Sequence, residues 1–384
     1  AWGERVMSHF SVFVIGDNVE EQLQPFHEFE CTGTNDQYIQ NIDKLQEYQE
    51  EYEGDTAQRL KSSDGKLYEP WDHQFYRDPT PEEKDKVGMG SGCGNGLVWH
   101  SRDWGDGRGY RPKVKYIPDG FEQVDVPRKE VETFANYVED YYGLPRLSET
   151  ETPDLNGDHK FGWYRINASG DVIEIIDRTN PDAKWDWWQI GGRWSGFLKV
   201  KPGKNVVLGE KGLMGSCAAE GADRTDMAMK KDIDLDGMRD TSGEEAAKNW
   251  DKASEVLAVA GLSITDGWKS WDEIRRSNES DIDSVRKEYH EQPAVSALRQ
   301  AFDNPFFSVD VFLATRSDFI QSARDSAICP YALVMDSKWY AKGEMGWWGV
   351  SLNEGEQSEW NRKVNELIDD LPDDTKITVV DCHI

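Results

Sequence analysis

A tryptophan-rich stretch around a Gly-Gly-Arg corner constrains the fold of this chain more than any other segment. Residues 181–197 read PDAKWDWWQIGGRWSGF, and four of them are tryptophans: Trp185, Trp187, Trp188 and Trp194. Indole side chains are large and need a partner surface, while adjacent glycines let the backbone come close to another backbone or a ligand. We therefore predict a strand, a tight Gly-Gly turn and a second strand. The pair forms either the hub of a core or the floor of a binding site.

Both interpretations of this stretch are open. In the functional one, indole faces stack a planar group, and the Arg193 guanidinium donates to a phosphate or carboxylate beside the small glycines. The residues of that ligand site are Trp185, Trp187, Gly191, Gly192, Arg193 and Trp194. In the structural one, the indoles alternate across two strands and fill the core. Packing explains the glycine pair and Arg193 least, so the functional hypothesis depends on those three residues.

The two ends of the chain carry its best-formed strands. Residues 9–16 (HFSVFVIG) are apolar on both faces, which is typical of a strand in the middle of a sheet. In an open antiparallel sheet of the ferredoxin type, the first and last strands are neighbours, so His9 is expected next to His383. Alternation along the last strand puts Asp381 and His383 on one face and Cys382 on the other.

His9, Asp381 and His383 are therefore the candidate catalytic residues, although no standard catalytic signature runs through the chain. Two imidazoles and a carboxylate can hold a divalent metal, or act as acid and base with the carboxylate orienting one histidine. Alternatively, they are polar strand-end residues that satisfy one another. No spacing such as HExxH indicates a ligand set, so we predict no metal site, and no motif identifies a cofactor.

Strands and helices follow one another without regular alternation, which favours an α+β fold over a doubly wound sheet. We predict a mainly antiparallel sheet, ferredoxin-like or elaborated from that plan, with long polar insertions and a strand at 306–314. Three segments are expected. Residues 7–200 carry the tryptophan-rich hairpin, 201–305 form a polar and helical insertion, and 306–384 complete the same sheet.

The acidic charge of the chain limits its partners. The formal net charge is −29, from 73 acidic and 44 basic residues. Such a field repels nucleic-acid backbones and acidic membranes, so direct nucleic-acid binding is disfavoured. It attracts basic proteins, including those that normally hold DNA.

Cysteine usage and hydropathy predict a cytoplasmic protein. The five cysteines are scattered and never form a CxxC pair, which fits a reducing compartment better than a disulfide framework. No apolar run approaches the roughly 20 residues of a membrane span, and no secretory signal is visible.

Two further motifs resemble ligand-binding loops but lack residues that those loops require. Residues 88–96 (GMGSGCGNG) have the glycines of a phosphate loop but lack its GK[ST] ending. Residues 232–236 (DIDLD) begin like a calcium loop, yet the position that requires glutamate is Gly243. Neither motif predicts a ligand.

Four segments together resemble a family of uncharacterised bacteriophage proteins. They are the start MSHF with VIG, the centre KWDWWQIGGRWSG, the run CPYALV and the closing LPDDTKITVVDCHI. The resemblance implies an accessory protein acting in the cytoplasm of an infected host, and it implies no reaction and no catalytic residues.

Three functions follow as expectations. The first is a phage accessory protein that counters host defence by binding a nucleotide-like small molecule at the tryptophan-rich corner. The second is an acidic decoy that occupies a basic host protein. The third is a metal-dependent or histidine-based hydrolase or transferase that uses the candidate residues at the chain ends.

Overall fold

A computed structural model describes most residues of the chain, which form two compact units. The described residues are 9–28, 36–86, 99–103, 107, 110–212, 219–277, 281–302, 308–345, 351–352 and 357–384. Unit 1 comprises Ala1–Glu28 and Asp182–Ile384, and unit 2 comprises Phe29–Pro181. The predicted division at 200 and 305 stays a prediction, and the compact units follow other boundaries. The glycine-rich motif at 88–96 lies outside the described residues.

The strands are numbered in chain order. They are β1 (His9–Ile15), β2 (Gln40–Asp43), β3 (Thr56–Ser62), β4 (Leu67–Tyr68), β5 (Tyr76–Arg77), β6 (Trp99–Asp103), β7 (Tyr110–Lys115), β8 (Phe121–Pro127), β9 (Arg146–Ser148), β10 (Gly162–Ile166), β11 (Val172–Thr179), β12 (Trp187–Gly192), β13 (Leu198–Lys199), β14 (Glu210–Lys211), β15 (Arg224–Thr225), β16 (Met227–Met229), β17 (Ala332–Met335), β18 (Lys338–Ala341), β19 (Glu344–Met345), β20 (Ser351–Leu352) and β21 (Lys376–His383).

The α-helices are numbered in the same way. They are α1 (Val19–Leu23), α2 (Leu45–Gly54), α3 (Pro81–Lys86), α4 (Phe134–Tyr142), α5 (Leu235–Val259), α6 (Trp271–Ser277), α7 (Ile282–Glu291), α8 (Pro293–Phe302), α9 (Arg316–Ser326) and α10 (Gln357–Asp370).

Unit 1 is built on a sheet that contains both terminal strands. Its order is β14-β12-β21-β1-β17-β18, and β16 also pairs with β21. Strand β1 lies between β21, which runs antiparallel to it, and β17, which runs parallel. In that register His9 is directly opposite His383, so the predicted pairing of the chain ends is confirmed.

The central sheet buries apolar side chains on both faces. Phe13 and Val379 belong to one core cluster, which helix α10 covers with Trp360, Val364 and Ile368 at helical spacing. Phe10, Val12 and Cys382 alternate to the opposite face and belong to a second cluster. Burial on both sides explains why β1 has no polar alternation.

Helices α5 to α8 enclose a separate core cluster of unit 1, together with the segment around residue 310. That segment was predicted as a strand at 306–314, and this prediction is wrong for its described part. Residues 309–313 form a short 3₁₀ helix in which Val309 and Phe312 are buried. The spacing of three puts both side chains on one side of a 3₁₀ turn, facing the helical cluster.

Unit 2 contains three small sheets and the helices α2 to α4. Strands β10 and β11 form a hairpin in a sheet of order β2-β11-β10-β9. Strands β4-β3-β8 and β5-β7-β6 form two further sheets. Helix α4 begins at the side-chain cap of Thr133 and ends at Gly143, whose backbone is left-handed.

The described part of the chain mixes helices with several separate sheets, as an α+β fold requires. The finer prediction of a ferredoxin-like plan stays a prediction. Within the described residues, none of the helices has the length and apolar character needed to cross a bilayer.

Candidate functional site

The Gly-Gly corner ends strand β12 in unit 1. The tryptophan-rich hairpin predicted around it is wrong, because the strand that follows the corner, β13, pairs with β15 and not with β12. Both glycines have left-handed backbones, with φ of 79° at Gly191 and 54° at Gly192. The turn is closed by hydrogen bonds from Trp194 N to Gly191 O and from Ser195 N to Gly192 O. Any residue with a Cβ is strained in this conformation, so the sequence requires glycine for its backbone here.

A second reason for the glycines is that each one faces a fully buried aspartate. A Cβ added to Gly192 would overlap the side chain of Asp381, with Cγ only 2.7 Å away. A Cβ added to Gly191 would overlap the carboxylate of Asp226, with Cγ 3.0 Å away. Asp381 and Asp226 are both 0% exposed. The corner is therefore a close approach between backbone and two buried carboxylates.

Both carboxylates are held by hydrogen bonds from the corner. Asp381 Oδ2 accepts from Arg193 N at 2.8 Å. Asp226 accepts from Ser195 Oγ at 3.0 Å and from the backbone nitrogens of Gly196 and Gly209 at 2.5 and 2.7 Å. Buried carboxylates are tolerated only when they are satisfied in this way. Sequence reasoning missed Asp226, since it lies in a polar segment without a periodic pattern.

The second oxygen of Asp381 binds a candidate catalytic residue. Asp381 Oδ1 lies 2.9 Å from His9 Nδ1, and the His9 side chain is 17% exposed. His383, which lies opposite His9 on β21, makes the same kind of contact with another carboxylate: its Nδ1 lies 2.7 Å from Asp186 Oδ1. The structure therefore brings the three predicted residues together and adds Asp186.

Trp187, His383 and His9 form a row across strands β12, β21 and β1. His383 is directly opposite Trp187 on one side and His9 on the other. Residues opposite each other in antiparallel strands share a face, and here the ring centroids of the two histidines are 4.8 Å apart. The His9 and Trp187 rings are 5.9 Å apart and perpendicular. We call His9, Asp186, Trp187, Asp381 and His383 the edge cluster.

The hydrogen bonds of the edge cluster determine which nitrogen of each imidazole is available. A carboxylate at Nδ1 favours the tautomer that carries a proton there, so the lone pair of a neutral ring is on Nε2. Neither Nε2 has a hydrogen-bond partner within the described parts of the chain. Two imidazoles that are oriented in this way, with ring centroids 4.8 Å apart, can give and take protons at Nε2.

The other predicted ligand residues have different environments. Trp185 is buried, donates from Nε1 to Leu23 O at 3.1 Å and stacks on the ring of His27. Trp194 packs half-buried against the first core cluster. Trp187, in contrast, is 44% exposed. Core packing thus accounts for Trp185 and Trp194, whereas Trp187 presents its indole to solvent within the edge cluster.

The remaining chemistry of the region is structural. Burial raises the pKa of the Cys382 thiol well above its ordinary value, on the face opposite the histidines. Asp234, from the segment that resembles a calcium loop, caps helix α5 by accepting from Gly237 N. Among the residues that the structure describes, no group of three or more His, Cys, Asp or Glu side chains is arranged to hold a metal ion.

Comparison with known protein families gives a match to part of the chain. The model of glycosyl hydrolase family 26 matches residues 232–337, about a quarter of the chain. Those residues include helices α5 to α9 and strand β17, which lies beside β1 in the central sheet. No curated protein and no solved structure matches the chain.

This match overturns the resemblance to uncharacterised bacteriophage proteins. Of the segments behind that resemblance, CPYALV lies within 232–337 and includes most of β17. The described residues of the others lie outside the match and contain the two terminal strands and the Gly-Gly corner. A phage accessory protein that counters host defence is therefore wrong as a prediction, because the matched family consists of glycosyl hydrolases. The match gives no support to a nucleotide-like ligand or to a basic host protein as the partner.

Proposed function

We propose that this protein hydrolyses a glycosidic bond, and that the edge cluster is where the reaction takes place. The observation that carries the reaction class is the match of residues 232–337 to glycosyl hydrolase family 26. The matched segment does not contain the edge cluster. It supplies β17 next to β1, and Tyr331 N donates to Ser11 Oγ, two residues along β1 from His9.

The edge cluster supports the proposal through its proton-transfer groups. Glycoside hydrolysis needs one group that protonates the leaving oxygen and another that activates water or attacks the sugar. Most glycosidases use two carboxylates, but both oxygens of Asp381 are already engaged and its side chain is buried. We therefore assign proton transfer to Nε2 of His9 and of His383. Asp381 orients His9, and Asp186 orients His383.

Trp187 supports a sugar substrate in particular. Its indole is exposed at the end of the histidine row, 5.9 Å from the His9 ring. The apolar face of a sugar ring packs well on such a surface, while its hydroxyls stay free for hydrogen bonds. In this arrangement Trp187 positions the sugar, and the imidazoles reach the bond next to it.

The test is release of reducing ends from a panel of soluble polysaccharides by the purified protein, with products identified by mass spectrometry. On a polysaccharide that is cleaved, His9→Gln and His383→Gln should each lower kcat about 100-fold or more, because each removes a proton-transfer group. His290→Gln is the matched control, since His290 lies in α7 of the same unit outside the cluster.

Two results would contradict the proposal. One is the absence of cleavage on every polysaccharide of the panel. The other is cleavage that both histidine variants retain at the rate of the unsubstituted protein, which would move the reaction away from the edge cluster.

Two finer predictions belong to the same proposal. A cytoplasmic location is supported by the free thiols of Cys329 and Cys382. A ferredoxin-like plan for the central sheet is supported by the antiparallel pairing of the two terminal strands.

A further inference from the structure

We infer that unit 1 has a second carbohydrate subsite, a groove beside strand β18 that binds a sugar carrying a carboxylate, such as a uronic acid. The groove has a volume of about 590 Å³, within the usual range of small-molecule sites. Its lining includes Lys184, Lys338, Trp339, Tyr340 and Asp182. The inference rests on the proposed function only in taking the ligand to be a saccharide.

The charges of the groove favour an anionic ligand. Lys184 and Lys338 have no ion-pair or hydrogen-bond partner for their ammonium groups among the residues described in the structure. Among the described residues of the groove lining, Lys184 and Lys338 are basic and Asp182 is acidic, so the balance of these residues is positive. The net charge of −29 repels an acidic ligand at long range, and binding therefore depends on these two local cations.

The aromatic wall of the groove favours a ring over a small inorganic anion. Trp339 is half-buried and is held by ring contacts with Phe10 and Phe26, at centroid distances of 6.2 and 5.2 Å. The rest of its surface borders the groove. An indole anchored in this way offers an apolar surface to the C–H face of a sugar.

The backbone around the groove is held in place on both sides. Lys184 N donates to Phe26 O at 2.7 Å, which ties the segment that carries this lysine to the N-terminal part of the same unit. Strands β17 and β18 are joined by a two-residue turn in which Asp336 and Ser337 both have left-handed backbones, with φ of 52° and 54°. This is the conformation of a tight type I′ hairpin, so Lys338 starts from a well-defined position.

The groove is close along the chain to the edge cluster. Lys184 precedes Asp186 by two residues, a span of at most about 7 Å of extended backbone. Trp185 between them is buried, so the segment is anchored at its middle. Trp339 packs with Phe10, from the face of the sheet opposite the histidines. The groove is thus a subsite distinct from the edge cluster in the same unit.

The experiment measures binding in the full-length His9→Gln/His383→Gln double variant, which separates binding from turnover. The probes are α-1,4-linked trigalacturonate, the neutral α-1,4-galactotriose and acetate, titrated calorimetrically at constant ionic strength. Trigalacturonate should bind at least about tenfold more tightly than galactotriose, since a charge-assisted hydrogen bond contributes about that much. Acetate at the same concentration should not displace it.

Lysine variants locate the binding. Lys184→Gln and Lys338→Gln should each weaken trigalacturonate binding about tenfold and leave galactotriose binding unchanged. Lys287→Gln is the matched control, because Lys287 is an exposed lysine of α7 in the same unit. Trp339→Phe, which keeps an aromatic ring against Phe10 and Phe26, should weaken the binding of both sugars.

Several outcomes would overturn the inference. They are no binding of trigalacturonate, equal affinity for both trisaccharides, competition by acetate alone, or an equal loss in the Lys287→Gln control. Failure of the proposed function is recognised separately. The protein could bind trigalacturonate through both groove lysines and yet cleave no polysaccharide. That result would support the subsite and contradict the proposed hydrolase activity.

Discussion

Substitution of Gly192 by alanine probes the closest contact in the Gly-Gly corner. Alanine at φ 54° costs about 1–2 kcal/mol for the left-handed backbone alone. Its Cβ also overlaps Asp381, so this carboxylate has to move away from Arg193 N. Loss of a hydrogen bond to a carboxylate adds about 1.5–3 kcal/mol. We expect the free energy of unfolding of unit 1 to fall by about 2.5–5 kcal/mol in total.

Gly261→Ala is the matched control for that substitution. Gly261 also has a left-handed backbone, with φ of 72°, and a Cβ added there meets nothing within 4 Å. It should therefore cost only the backbone strain of about 1–2 kcal/mol. Both glycines belong to unit 1, so the two variants are compared in the same folding unit.

The assay is urea unfolding, followed by tryptophan fluorescence and by alkylation of Cys382 read from peptide masses. Cys382 is 0% exposed and adjacent to Asp381 in β21, so its alkylation reports the opening of that strand. The reasoning is refuted if Gly192→Ala and Gly261→Ala lower the unfolding midpoint equally. In that case the overlap with Asp381 has no energetic consequence, and only the sign of φ matters.

Three further predictions concern burial and charge. Trp185→Ala should destabilise unit 1 by about 3–5 kcal/mol, as expected for a buried indole. Trp187→Ala should cost under about 1 kcal/mol of stability and should instead raise KM. Equal costs of the two variants in urea unfolding would count against a core role for Trp185 and a substrate-binding role for Trp187. Burial raises the pKa of Asp177 in the folded state, so the charged carboxylate opposes folding at neutral pH. Asp177→Asn should therefore stabilise unit 2 at pH 7 and not at pH 3. Stabilisation of the same size at both pH values would contradict this. Burial raises the pKa of Cys329 to about 12, so iodoacetamide at pH 8 should leave it unmodified in the folded protein and modify it in urea, as read from peptide masses.

The terminal strands were predictable because their evidence is local. Five of the seven residues of β1 are apolar and lie on both faces of the strand, and that pattern indicates a central strand. Alternation along β21 then places Asp381 and His383 on one face. The direct opposition of His9 and His383 follows once the two strands pair antiparallel.

The buried aspartates were not predictable, because their contacts join segments far apart in the chain. Asp226 binds Ser195 across 31 positions, and Arg193 binds Asp381 across 188. An aspartate in a polar segment is normally exposed, and nothing in its neighbours distinguishes one that is 0% exposed. The strand predicted at 306–314 failed for a related reason, since a short apolar run fits a strand or a buried helical turn equally well.

The contribution of the tryptophan-rich stretch to the edge cluster is made mainly through its backbone. Its Gly-Gly corner makes room for Asp381, and Arg193 N holds one oxygen of that carboxylate while the other orients His9. The amide of Arg193 is therefore required in this arrangement, whatever its guanidinium contacts. In this arrangement the corner contributes to the site by positioning His9 through Asp381. Among the four tryptophans of the stretch, Trp187 is exposed, whereas Trp185 is buried and Trp188 and Trp194 are half-buried against the two core clusters.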